Sequence, residues 1–259
     1  MELSLRLDIA KKYKSPTQRI RILTEDWVQQ NGYCPNCGRK NITRYKSNLP
    51  VADFYCENCG EDYELKSKLL SFGHRIVDGA YRTMIERLRS AKNPNFLFLN
   101  YNQRFDSVTQ FLTIPKHFFI PRMIERRKPL SLTASRAGWI GCNIRIEKVP
   151  ESGRIYFVKG GIIQPRAEVL KEWQQTLFLR RQKDSEAKGW LLDIMKCVEQ
   201  LGKETFTLQE MYGFEKKLQT LHQNNKHIRD KIRQQLQVLR DQGFLKFTNR
   251  GEYTLSRII

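Results

Sequence analysis

NLPVADFYCENCGEDYELKSK, residues 48–68, places two kinds of chemistry in one short stretch. VADFY and DYELKSK alternate β-branched, aromatic and charged side chains, which predicts two antiparallel strands joined through the Cys-x-x-Cys turn between them. On the second strand Glu64 and Lys66 stand two apart and so project from the same face. Pairing of the strands lets Asp53 join them. Two carboxylates converging with one lysine suit metal-dependent phosphodiester hydrolysis: Asp53 and Glu64 as ligands of Mg²⁺, which polarises the phosphate and acidifies a water. Lys66 would position or help deprotonate that water and counter the charge of the pentacovalent transition state. Asp-x₁₀-Glu-x-Lys is a short pattern, and the competing reading is a surface ion pair on a charged strand.

The same stretch holds half of a metal site. Cys34/Cys37 in YCPNCG and Cys56/Cys59 in YCENCG form two Cys-x-x-Cys pairs with 18 residues between them, the spacing of a zinc ribbon. Each turn ends in glycine, Gly38 or Gly60, which lets the backbone bend so that two thiolates face one ion. Four thiolates close a tetrahedron, so this Zn²⁺ is expected to be structural, with no open position for a substrate. Cys142 and Cys197 stand alone in apolar surroundings and read as buried small hydrophobes.

Around this centre, KSPTQRIRILTEDWVQQNG reads as a helix with Ser15 as candidate N-cap, Pro16 at the first position and Gly32 past the end. Glu25 and Asp26 could supply a further carboxylate to the site, but an amphipathic helix usually carries such residues on its wet face. After the motif come a helix-like DGAYRTMIERLRSA and two apolar strands, NFLFLNY and QFLTIP. Forty-six Lys and Arg against 27 Asp and Glu give a net charge of +19, which favours a polyanionic partner, nucleic acid ahead of a membrane surface. Residues 1–184 carry +15 of it, and residues 66–136 alone carry +10, including the run Arg126, Arg127, Lys128. No stretch approaches the length of a membrane helix and no secretory signal is evident, so a cytoplasmic protein without membrane contact is expected.

Beyond residue 184 the pattern changes to three helical segments and a hairpin. Ser185 can cap the first, whose apolar face holds Trp190, Leu191, Ile194 and Val198. Thr207 to Glu210 is a capping box opening a second helix through MYGFEKKLQTLH, and Asn225 can cap a third, KHIRDKIRQQLQVLRDQG, with Ile228, Ile232, Leu236 and Leu239 turned inward. FLKF, the turn TNRG and EYTL complete a winged helix. The outward face of the third helix offers Lys226, Arg229, Arg233, Gln234 and Gln237, and the wing adds Arg250, side chains able to bond phosphates and base edges. Winged helices also serve as protein-interaction modules.

The motifs ILTEDWV, YCPNCG, PVADFYC, ELKSK, DGAY, NPNF, RAGWIGCNI, FTLQEMYGFE and HIRDKIRQQLQVLRDQGF together resemble the DpnI-like type IIM restriction endonucleases, almost from end to end. The resemblance implies an α/β (α+β) PD-(D/E)xK mixed sheet with an inserted zinc ribbon over residues 1–183, then a DNA-binding winged helix over residues 184–259. It implies Mg²⁺-dependent cleavage of double-stranded DNA at GATC carrying N6-methyladenine, with Asp53, Glu64 and Lys66 at the catalytic positions and both domains reading the methylated site. It also points to Trp139 as a contact with the methyl group or its base pair, whereas spacing alone favours core packing for an aromatic between Gly138 and Ile140. Pro50 stands three residues before Asp53, a departure from the family's Pro-Asp dipeptide. A monomer is expected, while the oligomeric state on DNA stays open, since no heptad seam or isolated apolar interface is visible. Two other readings stay open: a non-catalytic zinc-ribbon and winged-helix regulator, and a nuclease of the same fold with another site specificity.

Overall fold

The computed structural model describes residues 1–46, 52–90 and 93–256. Pro50 and Val51 fall outside them. The chain forms two compact units, one of residues 1–148 and 153–174, the other of residues 149–152 and 175–259.

In chain order the first unit contains α1 (Pro16–Asn31), β1 (Thr43–Arg44), β2 (Phe54–Tyr55), β3 (Asp62–Leu69), β4 (Arg75–Ala80), α2 (Tyr81–Arg89), β5 (Asn95–Tyr101) and β6 (Val108–Ile114). It continues with β7 (Ile124–Arg126), β8 (Gly141–Arg145), β9 (Ile155–Lys159), β10 (Ile162–Ile163) and α3 (Arg166–Thr176), whose last two residues belong to the second unit. The main sheet runs β1-β2-β3-β5-β6-β9-β10, and a smaller sheet runs β4-β8-β7. It is a mixed sheet: β3 and β5 are parallel, with Glu64 opposite Phe96 and Lys66 opposite Phe98, while the other pairs are antiparallel.

Every residue of β5 is buried: Phe96–Leu99 is the apolar run of a central strand, and the flanking Asn95 and Asn100 donate to Glu61 and to the Asp62 and Lys68 carbonyls. α1 packs one face of the sheet, with Trp27 edge-on to Phe111 at 5.2 Å and Phe111 against Phe157 at 4.7 Å. Phe96 and Phe98 line the other face with Phe119 and Phe72. Each such ring contributes about 1.5–3 kcal/mol by burial. α1 starts on Pro16 and ends at Gly32 as expected, but Ser15 makes no side-chain cap. Glu25 departs from expectation: it is 3% exposed, not on a wet face, because Arg21 and Arg44 both pair with it. The helix expected over residues 78–91 begins only at Tyr81, since Asp78, Gly79 and Ala80 complete β4.

The second unit contains α4 (Phe178–Arg181), α5 (Ser185–Leu201), β11 (Thr205–Thr207), α6 (Leu208–Tyr212), α7 (Glu215–Leu221), α8 (Ile228–Asp241), β12 (Leu245–Asn249) and β13 (Glu252–Leu255). α5, α6–α7 and α8 followed by the β12–β13 hairpin are a winged helix, and β11 adds a third strand in the order β11-β13-β12. Trp190, Leu191, Ile194 and Val198 of α5 and Ile228, Ile232, Leu236 and Leu239 of α8 are all buried. Three local expectations need correction. The cap of α5 is Asp184, whose carboxylate accepts from Ala187 N at 2.6 Å, one residue before Ser185. The second helix is broken at Gly213 and Phe214 into α6 and α7. α8 starts at Ile228, so Lys226 lies ahead of the helix and Asn225 accepts from His227 N instead of capping it. Among the described residues no helix is long and apolar enough to cross a membrane.

Candidate nuclease centre and metal site

The antiparallel pairing of β2 with β3 ends where Asp53 N donates to Tyr63 O at 2.9 Å. One step further, the Asp53 carboxylate itself accepts from Leu65 N at 2.7 Å. Asp53 therefore takes the place of a ladder carbonyl, and its carboxylate is held at the backbone of the residue between Glu64 and Lys66. Burial pushes the Asp53 carboxyl upward, as does the nearby Glu25, against the opposing Leu65 N–H bond and the charges of Lys66 and Arg21.

On β3, Lys66 Nζ lies 2.7 Å from Glu64 Oε1, and Arg87 of α2 pairs with Glu64 Oε2 at 3.2 Å. Lys66 also reaches Asp78 Oδ1 on β4, at 2.5 Å. Burial by itself would lower the Lys66 ammonium, but Glu64 and Asp78 outweigh it and raise the group above its ordinary value. Asp78 is absent from the sequence-predicted site. It arrives through the small sheet, where it pairs with Cys142 of β8. Both lone cysteines are buried, and burial pushes their thiols up to about 12.

Trp139 stands two residues before β8 and is half-buried. A Cβ built on Gly141 would come within 2.8 Å of its indole, so the ring lies directly on the Gly141 backbone.

Alternation along β3 turns Tyr63 away from Glu64 and toward the cysteines, where its hydroxyl is 3.1 Å from Cys34 Sγ. Cys34, Cys37, Cys56 and Cys59 are unoxidised, and their sulfurs lie within 4.8 Å of one another, the one such group of potential metal ligands among the described residues. Gly38 and Gly60 sit at φ 75° and 69° and return hydrogen bonds to Cys34 O and Cys56 O, both at 2.8 Å, so the two knuckles have the same geometry. Burial pushes the Cys34 thiol up. Cys37 is drawn down to about 6 because hydrogen bonds from the Asn58 side chain and the Arg39 backbone outweigh its burial. α3 braces the first knuckle through Trp173 Nε1, which donates to Asn36 Oδ1 at 2.9 Å. Four converging sulfurs fit a single soft-ligand ion such as Zn²⁺.

In the second unit Arg229, Arg233, Gln234 and Gln237 are exposed on α8, Arg250 is exposed at the tip of the wing, and Lys226 is exposed before the helix. Arg229 and Arg233 both lie over the Tyr212 ring, at 5.1 and 6.0 Å, and are further held by Glu215 and Asp230. Tyr212 and Glu215, from the two halves of the broken second helix, thus orient the cations of α8. The helix-face residues carry no signal for this by spacing alone.

A mixed sheet bearing this acidic cluster, a four-cysteine cluster and a winged helix coincide with two family matches. The family model DpnI, described as the Dam-replacing family, matches residues 1–182, and DpnI_C, the Dam-replacing HTH domain, matches residues 186–255. The helix-turn-helix match supports DNA as a partner of this chain. Because the first match alone spans well over half of the 259 residues, the chain belongs to the Dam-replacing family.

Proposed function

We propose that this protein is a methylation-dependent type II restriction endonuclease that hydrolyses double-stranded DNA at GATC sites carrying N6-methyladenine, with a nuclease domain over residues 1–183 and a winged-helix domain over residues 184–259. The observation that carries the proposal is the bond from Leu65 N to the Asp53 carboxylate, which sets Asp53 beside Glu64 and Lys66 at one strand edge. Two carboxylates offer the hard oxygen donors that suit Mg²⁺, and Asp53 and Glu64 would hold it. When bound, that ion supplies a positive charge to the scissile phosphate and a more acidic water.

Lys66 directs its ammonium to the phosphate oxygens and orients the attacking water. Asp78 acts as a positioning residue, holding Lys66 from the β4 side, so that the ammonium would keep its place with Glu64 serving as a ligand of the cation. Arg87 fixes the second oxygen of Glu64. Cys34, Cys37, Cys56 and Cys59 would hold Zn²⁺ as an architectural ion, fixing the turn between β2 and β3. Trp139, Lys226, Arg229, Arg233, Gln234, Gln237 and Arg250 contact DNA. The adenine methyl group is apolar, so an aromatic surface such as the Trp139 indole favours it where a close polar contact to the amine would not. Family membership supports methylation dependence, and the resemblance to DpnI-like enzymes supports GATC as the site.

Digestion of adenine-methylated and unmethylated plasmid, each with Mg²⁺ or with chelator, tests this reading. Cleavage confined to methylated plasmid with Mg²⁺ is expected. Binding without cleavage under all four conditions would make the protein a regulator, and cleavage of both plasmids would remove the methyl requirement.

A further inference from the structure

Between β7 and β8 the chain makes an excursion, RRKPLSLTASRAGW over residues 126–139, that the catalytic reading does not use. It is a stapled hairpin, not a slack loop. Arg127 N bonds Gly141 O at 3.0 Å, Leu130 N bonds Trp139 O at 2.9 Å, and Gly138 N returns to Leu130 O at 3.1 Å. The tip closes through Ala134 N to Ser131 O at 3.1 Å, and the indole of Trp139 lying on Gly141 braces the base.

At that tip Leu132 is 93% exposed and Leu130 39% exposed, while Arg126, Arg127, Lys128 and Arg136 are exposed around them. The excursion contains four cations and no acid. A single exposed leucine is ordinary on a protein surface, but Leu132 stands at the tip of a hydrogen-bonded hairpin beside Leu130 and inside a ring of cations. The rim of cations with no anion selects a partner that is negative outside and apolar inside, which describes a base-paired duplex with stacked bases behind its phosphates.

We propose that Leu132 is a wedge that enters between stacked base pairs while Arg126, Arg127, Lys128 and Arg136 hold the flanking phosphates. The proposal rests on the reading that duplex DNA is the substrate and adds a deformation of that duplex. Apolar side chains inserted this way unstack a base step and kink the helix. Because the excursion leads into β8, where Cys142 pairs with Asp78, the wedge is mounted on the sheet that also supplies the partner of Lys66. Methylated adenine stacks and pairs differently from adenine, so the energy of unstacking is itself sequence information, read without a base-edge contact.

Permanganate oxidises thymines that have lost their stacking, and full-length protein bound to duplex in Ca²⁺ or chelator reports them without strand cleavage. Two duplexes are used, one with methylated GATC and one of mixed sequence, so that scoring the wedge does not depend on the proposed recognition site or on nuclease activity. Wild type should raise thymine reactivity locally. Leu132→Ala should return it to the level of free DNA and weaken binding by about tenfold, and Leu132→Met should restore both. Reactivity equal in free and wild-type-bound duplex, or unchanged by Leu132→Ala, overturns the wedge, and in the second case the exposed leucine is left to a protein partner. Absence of wild-type binding to either duplex overturns it together with the DNA reading, whereas a wedge scored in a protein that fails the plasmid digestion leaves the wedge standing and removes only the nuclease.

Discussion

Asp78 Oδ1 lies 2.5 Å from Lys66 Nζ, although the two residues belong to different sheets. Their pairing couples the strand that carries the acidic motif to the small sheet that carries the 126–139 excursion. Asp78 is only 8% exposed in its side chain, so its charge acts with little screening by solvent. Asp78→Asn keeps the shape and removes the charge. Turnover should fall by about 10²-fold, the order expected for a displaced catalytic group, while DNA affinity in Ca²⁺ stays unchanged. Wild-type turnover in this variant would remove the pair from the mechanism.

Asp53→Ala and Lys66→Ala should each abolish plasmid cleavage, and both should retain DNA binding and bound metal at the cysteines. Gel-shift and elemental analysis run beside the digestion separate loss of chemistry from loss of fold. Full activity in either variant contradicts the proposed roles.

One tightly held zinc per chain is expected by elemental analysis. Cys34→Ser should lower zinc content and soluble yield together, because an ion bound only by the folded chain contributes its binding free energy to folding. Cys142→Ser, outside the cluster, should leave zinc content intact. A chain purified without zinc yet melting like the wild type would exclude a structural role.

On α8, Arg233 is set by Tyr212 and Asp230 and reaches solvent. If it contacts a phosphate, Arg233→Ala weakens binding to every duplex alike and reduces the slope of log K against log salt by about 1. Loss of methyl or sequence preference with the slope retained would instead make Arg233 a reader of bases.

Glu210 closes the capping box of α6. Its side chain is held down at about 2 by the hydrogen bond from Lys203 at 2.6 Å and then by Thr207 N at 2.7 Å. A folded value below the ordinary 4.5 means that its contribution is complete above about 4.5 and is lost as pH falls toward about 2. Melting of wild type should therefore drop more steeply than that of Glu210→Gln between pH 5 and pH 3, by a small margin because the group is exposed. Parallel curves would show that the cap contributes no acid sensitivity.

What the sequence discloses tracks how local each relationship is. Asp53, Glu64, Lys66 and the four cysteines lie within residues 34–66, and two-residue alternation is enough to put Glu64 and Lys66 on one face. Asp78 was illegible because its approach to Lys66 depends on β4 joining β8, a pairing across more than 60 residues. Helix periodicity puts Glu25 on a wet face because it cannot foresee Arg44 arriving from β1 to pair with it. In the second unit the apolar stripes of α5 and α8 were plain. β11 was not: Thr205, Phe206 and Thr207 become a strand only by pairing with Thr254, Tyr253 and Glu252. The break at Gly213 escaped because EMYGFEKKL keeps a helical period through it.

Tyr63 and Glu64 are neighbours on one strand that look in opposite directions, the first onto Cys34 and the second onto Lys66. A slip of the strand by one position would exchange those outlooks, so the sulfur cluster works as a detent, a catch that admits only one setting of the carboxylate.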